Sequence, residues 1–157
     1  MPMIRGYHGG AEAVLEFDSK KTIDGGFHFG TYEQAVMRAS GLRVKVLTEA
    51  ELEFHKLQRS RDTGGHWKAT IANARRRGCD GIVYLNRYEG IGIESILRAQ
   101  QRGVDPDRLS DAEFRRWFPE AQDSYIAFAI SQIRVTSHHY IPSTKKSSAP
   151  SSSQPRP

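Results

Sequence analysis

Apolar residues recur along this chain with two different periods, and the changes of period mark the expected elements. Ile4 to His8 reads as a short first strand, and Gly26 to Gly30 as a second strand leaving a Gly-Gly turn. Between them, Ala11 to Phe17 has the spacing of a short helix or turn. From Thr31 the period becomes helical: Tyr32, Ala35, Val36 and Ala39 share one stripe, and Gly41 follows as a stop. Thr31 and Gln34 have the spacing of a capping box, in which each side chain satisfies a free backbone N–H of the first turn.

Leu42 to Leu47 alternates, with Leu42, Val44 and Val46 on one side, and predicts a half-exposed strand. Thr48 and Glu51 repeat the capping spacing and predict another helix start. Trp67, Ile71 and Ala74 form one helical face reaching about Arg77. Gly78 to Gly81 is a turn, and Gly81 to Leu85 is apolar enough for a buried strand. The stretch 93–118 reads as two short helices parted by a Gly103–Asp107 turn, with Ser110 and Glu113 capping the second. Ser124 to Ala129 alternates, Tyr125, Ala127 and Ala129 against Ile126 and Phe128, and Ile133 to Val135 continues the sheet after a turn or bulge. These elements predict an α+β domain over residues 1–141, with a mixed, mainly antiparallel sheet, flanking helices and a helical insertion at about 93–118. The Ser- and Pro-rich stretch 142–157 carries too little apolar surface to offset its ordering entropy and is expected to be disordered.

Charge and composition narrow the partners. The formal charge is +5, but three of those cations (Lys145, Lys146, Arg156) lie in the tail, and no acid follows Asp123. The remainder stands at only +2, which disfavours a general nucleic-acid-binding domain. The one dense basic run, Arg75-Arg76-Arg77, suits a solvated helix C-terminus. Cys79 is the only cysteine, so an internal disulfide and a multi-cysteine zinc site are both excluded. No stretch nears the ~18 apolar residues of a membrane span, and no secretory signal is visible. A cytoplasmic protein without membrane contact is expected, or one delivered from there into a host or target cell.

The candidate chemistry lies in segments where histidine and aromatic residues sit beside glycines. These are Tyr7-His8-Gly9, and then Gly26-Phe27-His28-Phe29-Gly30-Thr31 with Glu33-Gln34-Ala35 and Arg38-Ala39. Two more follow: Gly81-Ile82-Val83-Tyr84-Leu85-Asn86 with Glu89-Gly90, and Asp123-Ser124-Tyr125-Ile126-Ala127-Phe128 with Gln132-Ile133. In this order they resemble the ADP-ribosyltransferase fold. The similarity is to its small phage and polyvalent-protein branch, a distant relative of the poly(ADP-ribose) polymerase class, and it covers roughly residues 4–135 apart from 93–118.

The resemblance implies an enzyme that consumes NAD as a substrate. It would break the nicotinamide–ribose bond through an oxocarbenium-like transition state and transfer ADP-ribose to a macromolecular acceptor, a protein or a nucleic acid, as toxins and effectors of this class do. No metal is implied. His8 would hydrogen-bond the adenosine-side ribose, and Gly9 would offer its backbone to nicotinamide. Tyr7, Gly30, Ser124 and Tyr125 would complete the NAD-binding set. His28 stands where polymerase-like relatives carry tyrosine, so His28, Phe29 and Tyr32 compete for the place facing nicotinamide. On a strand, His28 and Phe29 point to opposite faces, so only one of them lines a cleft. The charge-stabilising carboxylate is Glu89 by first choice and Asp123 by second, because Ser124 occupies the usual glutamate position. Water as acceptor would make the same site an NAD glycohydrolase, and loss of the carboxylate would leave an inactive NAD-binding or protein-interaction module. Other chemistries find little support. His138 and His139 are adjacent and point apart in an extended segment, His55 and His66 lack ligand spacing, and no P-loop or dinucleotide fingerprint is present.

Overall fold

Glycine at position 6 lets two sheets meet. A computed structural model describes residues 3–142, and in it β1 (Ile4–Gly10) crosses β2 (Phe27–Phe29) so closely that a Cβ on Gly6 would lie 2.8 Å from that of Phe29. The backbones are tied there by a bridge, Tyr7 N–H to Gly30 O at 2.8 Å and Gly30 N–H to Tyr7 O at 2.9 Å. The other elements are α1 (Tyr32–Arg38), β3 (Lys45–Leu52), β4 (Leu57–Arg59), α2 (Trp67–Arg76) and β5 (Gly81–Leu85). They are followed by α3 (Ile93–Gln101), α4 (Asp111–Trp117), β6 (Asp123–Ala127) and β7 (Ile133–Ile141).

The strands form two sheets. One has the order β1-β3-β7 and is antiparallel throughout; the other has the order β2-β6-β5-β4, in which only β4 and β5 run parallel. The fold is therefore mixed α+β and mainly antiparallel, as the sequence predicts, but divided between two sheets. Between them lies an aromatic core of Phe17, Phe27, Phe29 and Phe54 with Ala50, Leu52 and Ala127. Helix α2 covers the opposite face of the second sheet with Trp67, Ile71 and Ala74 against Ile82, Tyr84 and Ile126. Helix α1 covers part of the first sheet, Ala35 and Ala39 packing on Leu47. Helices α3 and α4 build a separate cluster, Phe114 and Phe118 beside Leu85 and Ile91.

Both capping boxes at Thr31/Gln34 and Ser110/Glu113 are present, and the 93–118 stretch is two helices parted by a 3-10 turn at Pro106–Arg108. The alternation holds through Phe128, Tyr125 and Ala127 toward the aromatic core, Ile126 and Phe128 toward α2, but strand β6 ends at Ala127, short of the expected Ala129, which is exposed.

Three expectations are corrected. Thr48 and Glu51 do not start a helix: both lie in β3, a central strand flanked by β1 and β7. Thr48 is wholly buried and its hydroxyl accepts Val14 N–H at 3.2 Å. Two neighbouring strands outweigh a local capping pattern that recurs by chance. The half-exposed strand at Leu42–Leu47 starts only at Lys45; Leu42 and Val44 are exposed, and Val46 and Leu47 are both buried. Ala11–Phe17 forms no helix: its turnless run lies over the first sheet, held by Thr48 and by the His138 ring, which donates to Val14 O at 2.7 Å. The structure adds the short strand β4 and carries β7 well beyond Val135, with a bulge opposite Glu49/Ala50. The tail reading falls, from Ser143 on, outside the described residues.

Candidate functional site

Strand alternation decides which of the conspicuous side chains reach a common space. On β2, Phe27 and Phe29 turn into the core and His28 turns out beside a cavity of about 1240 Å³. That volume exceeds the ~300–1,000 Å³ of ordinary small-ligand pockets. On β1, His8 reaches the same cavity, and Glu89 enters it from the turn after β5. Residues 12–18, 62 and 64–68 line it as well.

His8 and His28 have defined hydrogen bonds. His8 Nδ1 lies 3.3 Å from the carbonyl oxygen of His28, which can only accept, so Nδ1 carries the proton. His28 Nε2 lies 2.6 Å from Asp24 Oδ2, and the other oxygen of Asp24 accepts Gly26 N–H at 3.0 Å. Burial pushes the imidazole of His8 below its ordinary pKa, with nearby Arg38 adding to the shift. Burial does the same to His28 and outweighs the Asp24 carboxylate that favours its cation. Both rings are thus neutral near pH 7, and His8 Nε2 is left as a bare acceptor.

Glu89 is held by its neighbours on both sides. Its Oε1 accepts from Asn86 Nδ2 at 3.2 Å, and its Oε2 lies 4.0 Å from Arg38 Nε. Tyr84 lines the same wall, its hydroxyl pKa pushed up to about 12, chiefly by burial. The chemical set is therefore a carboxylate and a guanidinium beside two neutral imidazoles, one of them braced by a second carboxylate.

The remaining residues singled out in the sequence lie elsewhere. Asp123 is gripped by Arg59 through two hydrogen bonds of 3.0 and 2.8 Å and by Arg115 at 3.3 Å, and Arg59 foremost holds its carboxyl below the usual range. Ser124, next along β6, is buried against Gln34 and Asn86. Tyr125 stacks on Phe54 with centroids 5.9 Å apart. Phe29 is core. Tyr7 and Tyr32 meet edge to face at 5.6 Å on the far side of the first sheet, beside His139. Gly9 faces α1, where a Cβ would lie 2.3 Å from Ala35 O, and Gly30 faces Gln34. The structure thus brings His8, His28 and Glu89 together and leaves Tyr7, Gly9, Phe29, Gly30, Tyr32, Asp123, Ser124 and Tyr125 outside the cavity lining.

Asp24 is a site residue outside every segment singled out in the sequence, and Arg38, Tyr84 and Asn86 stand within those segments without a role assigned to them. Asp24 had a signal, four residues before His28 across a Gly-Gly turn. Arg38 had one in the last turn of a capped helix. Tyr84 and Asn86 resemble ordinary strand-end residues.

Arg75 is more than a solvated helix end: it donates to Gly25 O and Phe128 O, both at 3.0 Å, and lies over the Phe128 ring. Arg76 and Arg77 are exposed, and Cys79 is half-buried. His139 pairs with Glu49 at 2.7 Å while His138 points to Val14, so the two histidines diverge. Among the described residues no group of three or more His, Cys, Asp or Glu side chains is arranged to hold a metal ion, and no helix is long and apolar enough to cross a membrane. Scans against protein-family models, curated proteins and solved structures found no significant match to this chain.

Proposed function

We propose that this chain cleaves the nicotinamide–ribose bond of NAD and transfers ADP-ribose to a macromolecular acceptor, with His8 and Glu89 in the roles that the resemblance implies. One observation carries the reading. Three of the residues singled out for this chemistry, at positions 8, 28 and 89, line one cavity of about 1240 Å³.

The chemistry suits the groups present. As the bond between ribose C1′ and the nicotinamide nitrogen breaks, its electron pair leaves with neutral nicotinamide and positive charge grows on the ribose. A carboxylate at Glu89 stabilises that charge only as it develops, which lowers the barrier rather than merely tightening binding. Neutral His8 offers Nε2 as an acceptor for a ribose hydroxyl. The acceptor's lone pair then closes on C1′ and its proton is lost. Between the two carboxylates, Glu89 is favoured: it faces the cavity, whereas Asp123 is neutralised by two arginines.

Nicotinamide release from NAD tests this, using wild type, His8→Ala, Glu89→Gln and Asp123→Asn, with and without cell extract as a source of acceptors. Release is expected from wild type and from Asp123→Asn within about threefold, and a fall on the order of a hundredfold in Glu89→Gln. No release from wild type, even with extract, refutes the reading. Release of free ADP-ribose without any modified macromolecule identifies the hydrolytic form of the same reaction.

A further inference from the structure

The polar groups behind Glu89 are arranged with a single permitted polarity. Asn86 is 2 % exposed, and its amide uses every hydrogen-bonding position it has. Its Oδ1 accepts two backbone N–H groups, Tyr88 at 3.0 Å and Glu89 at 2.8 Å. That leaves Nδ2 to donate, once to Glu89 Oε1 at 3.2 Å and once to Ser124 Oγ at 3.0 Å. The Ser124 hydroxyl, having accepted, passes its own hydrogen to Gln34 Oε1 at 2.7 Å. Gln34 Oε1 also takes Thr31 N–H at 2.9 Å, and its Nε2 donates to Gln122 O at 3.0 Å. Backbone groups fix both ends of this chain, so neither amide can flip without orphaning buried donors.

We infer that Asn86 is the positioning residue of the site, holding the Glu89 carboxylate through a buried relay anchored by Ser124 and the capping glutamine Gln34. The inference rests on the proposed NAD cleavage, in which Glu89 acts on the substrate and Asn86 acts only through Glu89. The relay spans α1, β6 and the turn after β5, so the carboxylate is braced from three elements. Such bracing matters because a charge-stabilising group displaced by about 1 Å loses much of its effect. It also gives buried Ser124 a role without contact to NAD. Gln34 serves twice, capping α1 and terminating the relay.

Asn86→Asp separates positioning from a merely structural role. It keeps an oxygen for the two backbone N–H groups, but replaces the donor to Glu89 with a second carboxylate oxygen. The kcat for nicotinamide release is expected to fall roughly 10- to 100-fold, with KM for NAD within about threefold. Two carboxylates in contact share one proton as the pH drops, and the protonated new carboxyl then donates to Glu89 as the amide did. The ratio of variant to wild-type kcat should therefore rise from pH 8 to pH 5. His8, His28 and Arg38 face the same carboxylate in both proteins, so the ratio removes most of their contribution. Ser124→Ala, a smaller change that removes the brace on Asn86, should lower kcat roughly three- to tenfold with KM preserved.

Wild-type kcat in both variants overturns the inference, as does an Asn86→Asp ratio that stays flat with pH. If Asn86→Asp does not fold, Ser124→Ala decides alone. A wild type that releases no nicotinamide overturns the NAD reading and this inference with it; an active wild type beside unaffected variants overturns only the inference.

Discussion

Gly9→Ala should destabilise the protein, and the cause is a helix rather than a ligand. A Cβ at position 9 would lie 2.3 Å from Ala35 O and 3.1 Å from Ala35 C, both backbone atoms of α1. Ordinary contact begins at 3.4 Å, so helix and strand would have to part by about 1 Å. Neither yields easily. Gly9 is paired with Leu47 of β3, and two residues back Tyr7 is tied to Gly30 by two hydrogen bonds. The helix is fixed by its capping box and by Ala35 and Ala39 buried on Leu47. Overpacking against backbone costs about 1–3 kcal/mol. The stiffer unfolded chain returns about 0.5 kcal/mol, leaving a net loss of about 1.5 kcal/mol. For a chain of this size that lowers Tm by roughly 3–6 °C. Gly10→Ala is the control, because nothing approaches its Cβ closer than 4.0 Å and its φ is not left-handed. It should match wild type or exceed it slightly. Thermal melts of the three proteins followed by circular dichroism make the comparison. A Gly9→Ala Tm within about 1 °C of wild type would refute the packing argument.

Two further predictions concern the cavity histidines and the 93–118 helices. The fold lowers the pKa of His8 and His28, so the native state binds fewer protons than the unfolded one. Their contribution to stability is complete above an unfolded-state pKa of about 6.5 and is lost as pH falls from there through the lowered native pKa values. Urea unfolding should show declining stability from pH 7 to 5.5, above the range where Glu49 and Asp123 lose theirs, with less decline in a His8→Gln/His28→Gln variant; a flat wild-type profile contradicts the burial argument. Phe114 is 1 % exposed, stacked on Phe118 at 4.4 Å and lying under the Arg87 guanidinium at 4.7 Å. Phe114→Ala should cost about 3–5 kcal/mol in the same assay, and a loss below about 1 kcal/mol would mean that these helices do not pack as a core.

Local rules were legible in the sequence where no neighbour overrode them. The capping boxes at Thr31 and Ser110, the buried strand at Gly81–Leu85 and the alternation around Tyr125 all depend on nearby residues, and all are present. Thr48 and Glu51 have the same local signature, yet they lie between two strands more than thirty residues away in the chain. Pattern reading sees the capping spacing and cannot see the pairing. Strand β4 was missed for a similar reason: three residues carry no period, and its order comes from parallel pairing with β5.

The site was legible in part, and strand parity accounts for much of the difference. The alternation rule assigns His28 and Phe29 to opposite faces without saying which face has the cavity. The answer depends on Gly6, which admits Phe29 to the space between the sheets and so turns His28 outward. Parity likewise separates Asp123 from Ser124. Asp123 meets Arg59 and Arg115, while Ser124 turns inward to the amides of Gln34 and Asn86. A serine at that position looks like a lost carboxylate if position alone is compared. In the fold, its hydroxyl helps to hold the amide that binds Glu89, which comes from a different strand end. The charged group and its support are thus divided between two chain segments, and only the packing of β5 against β6 makes them one unit.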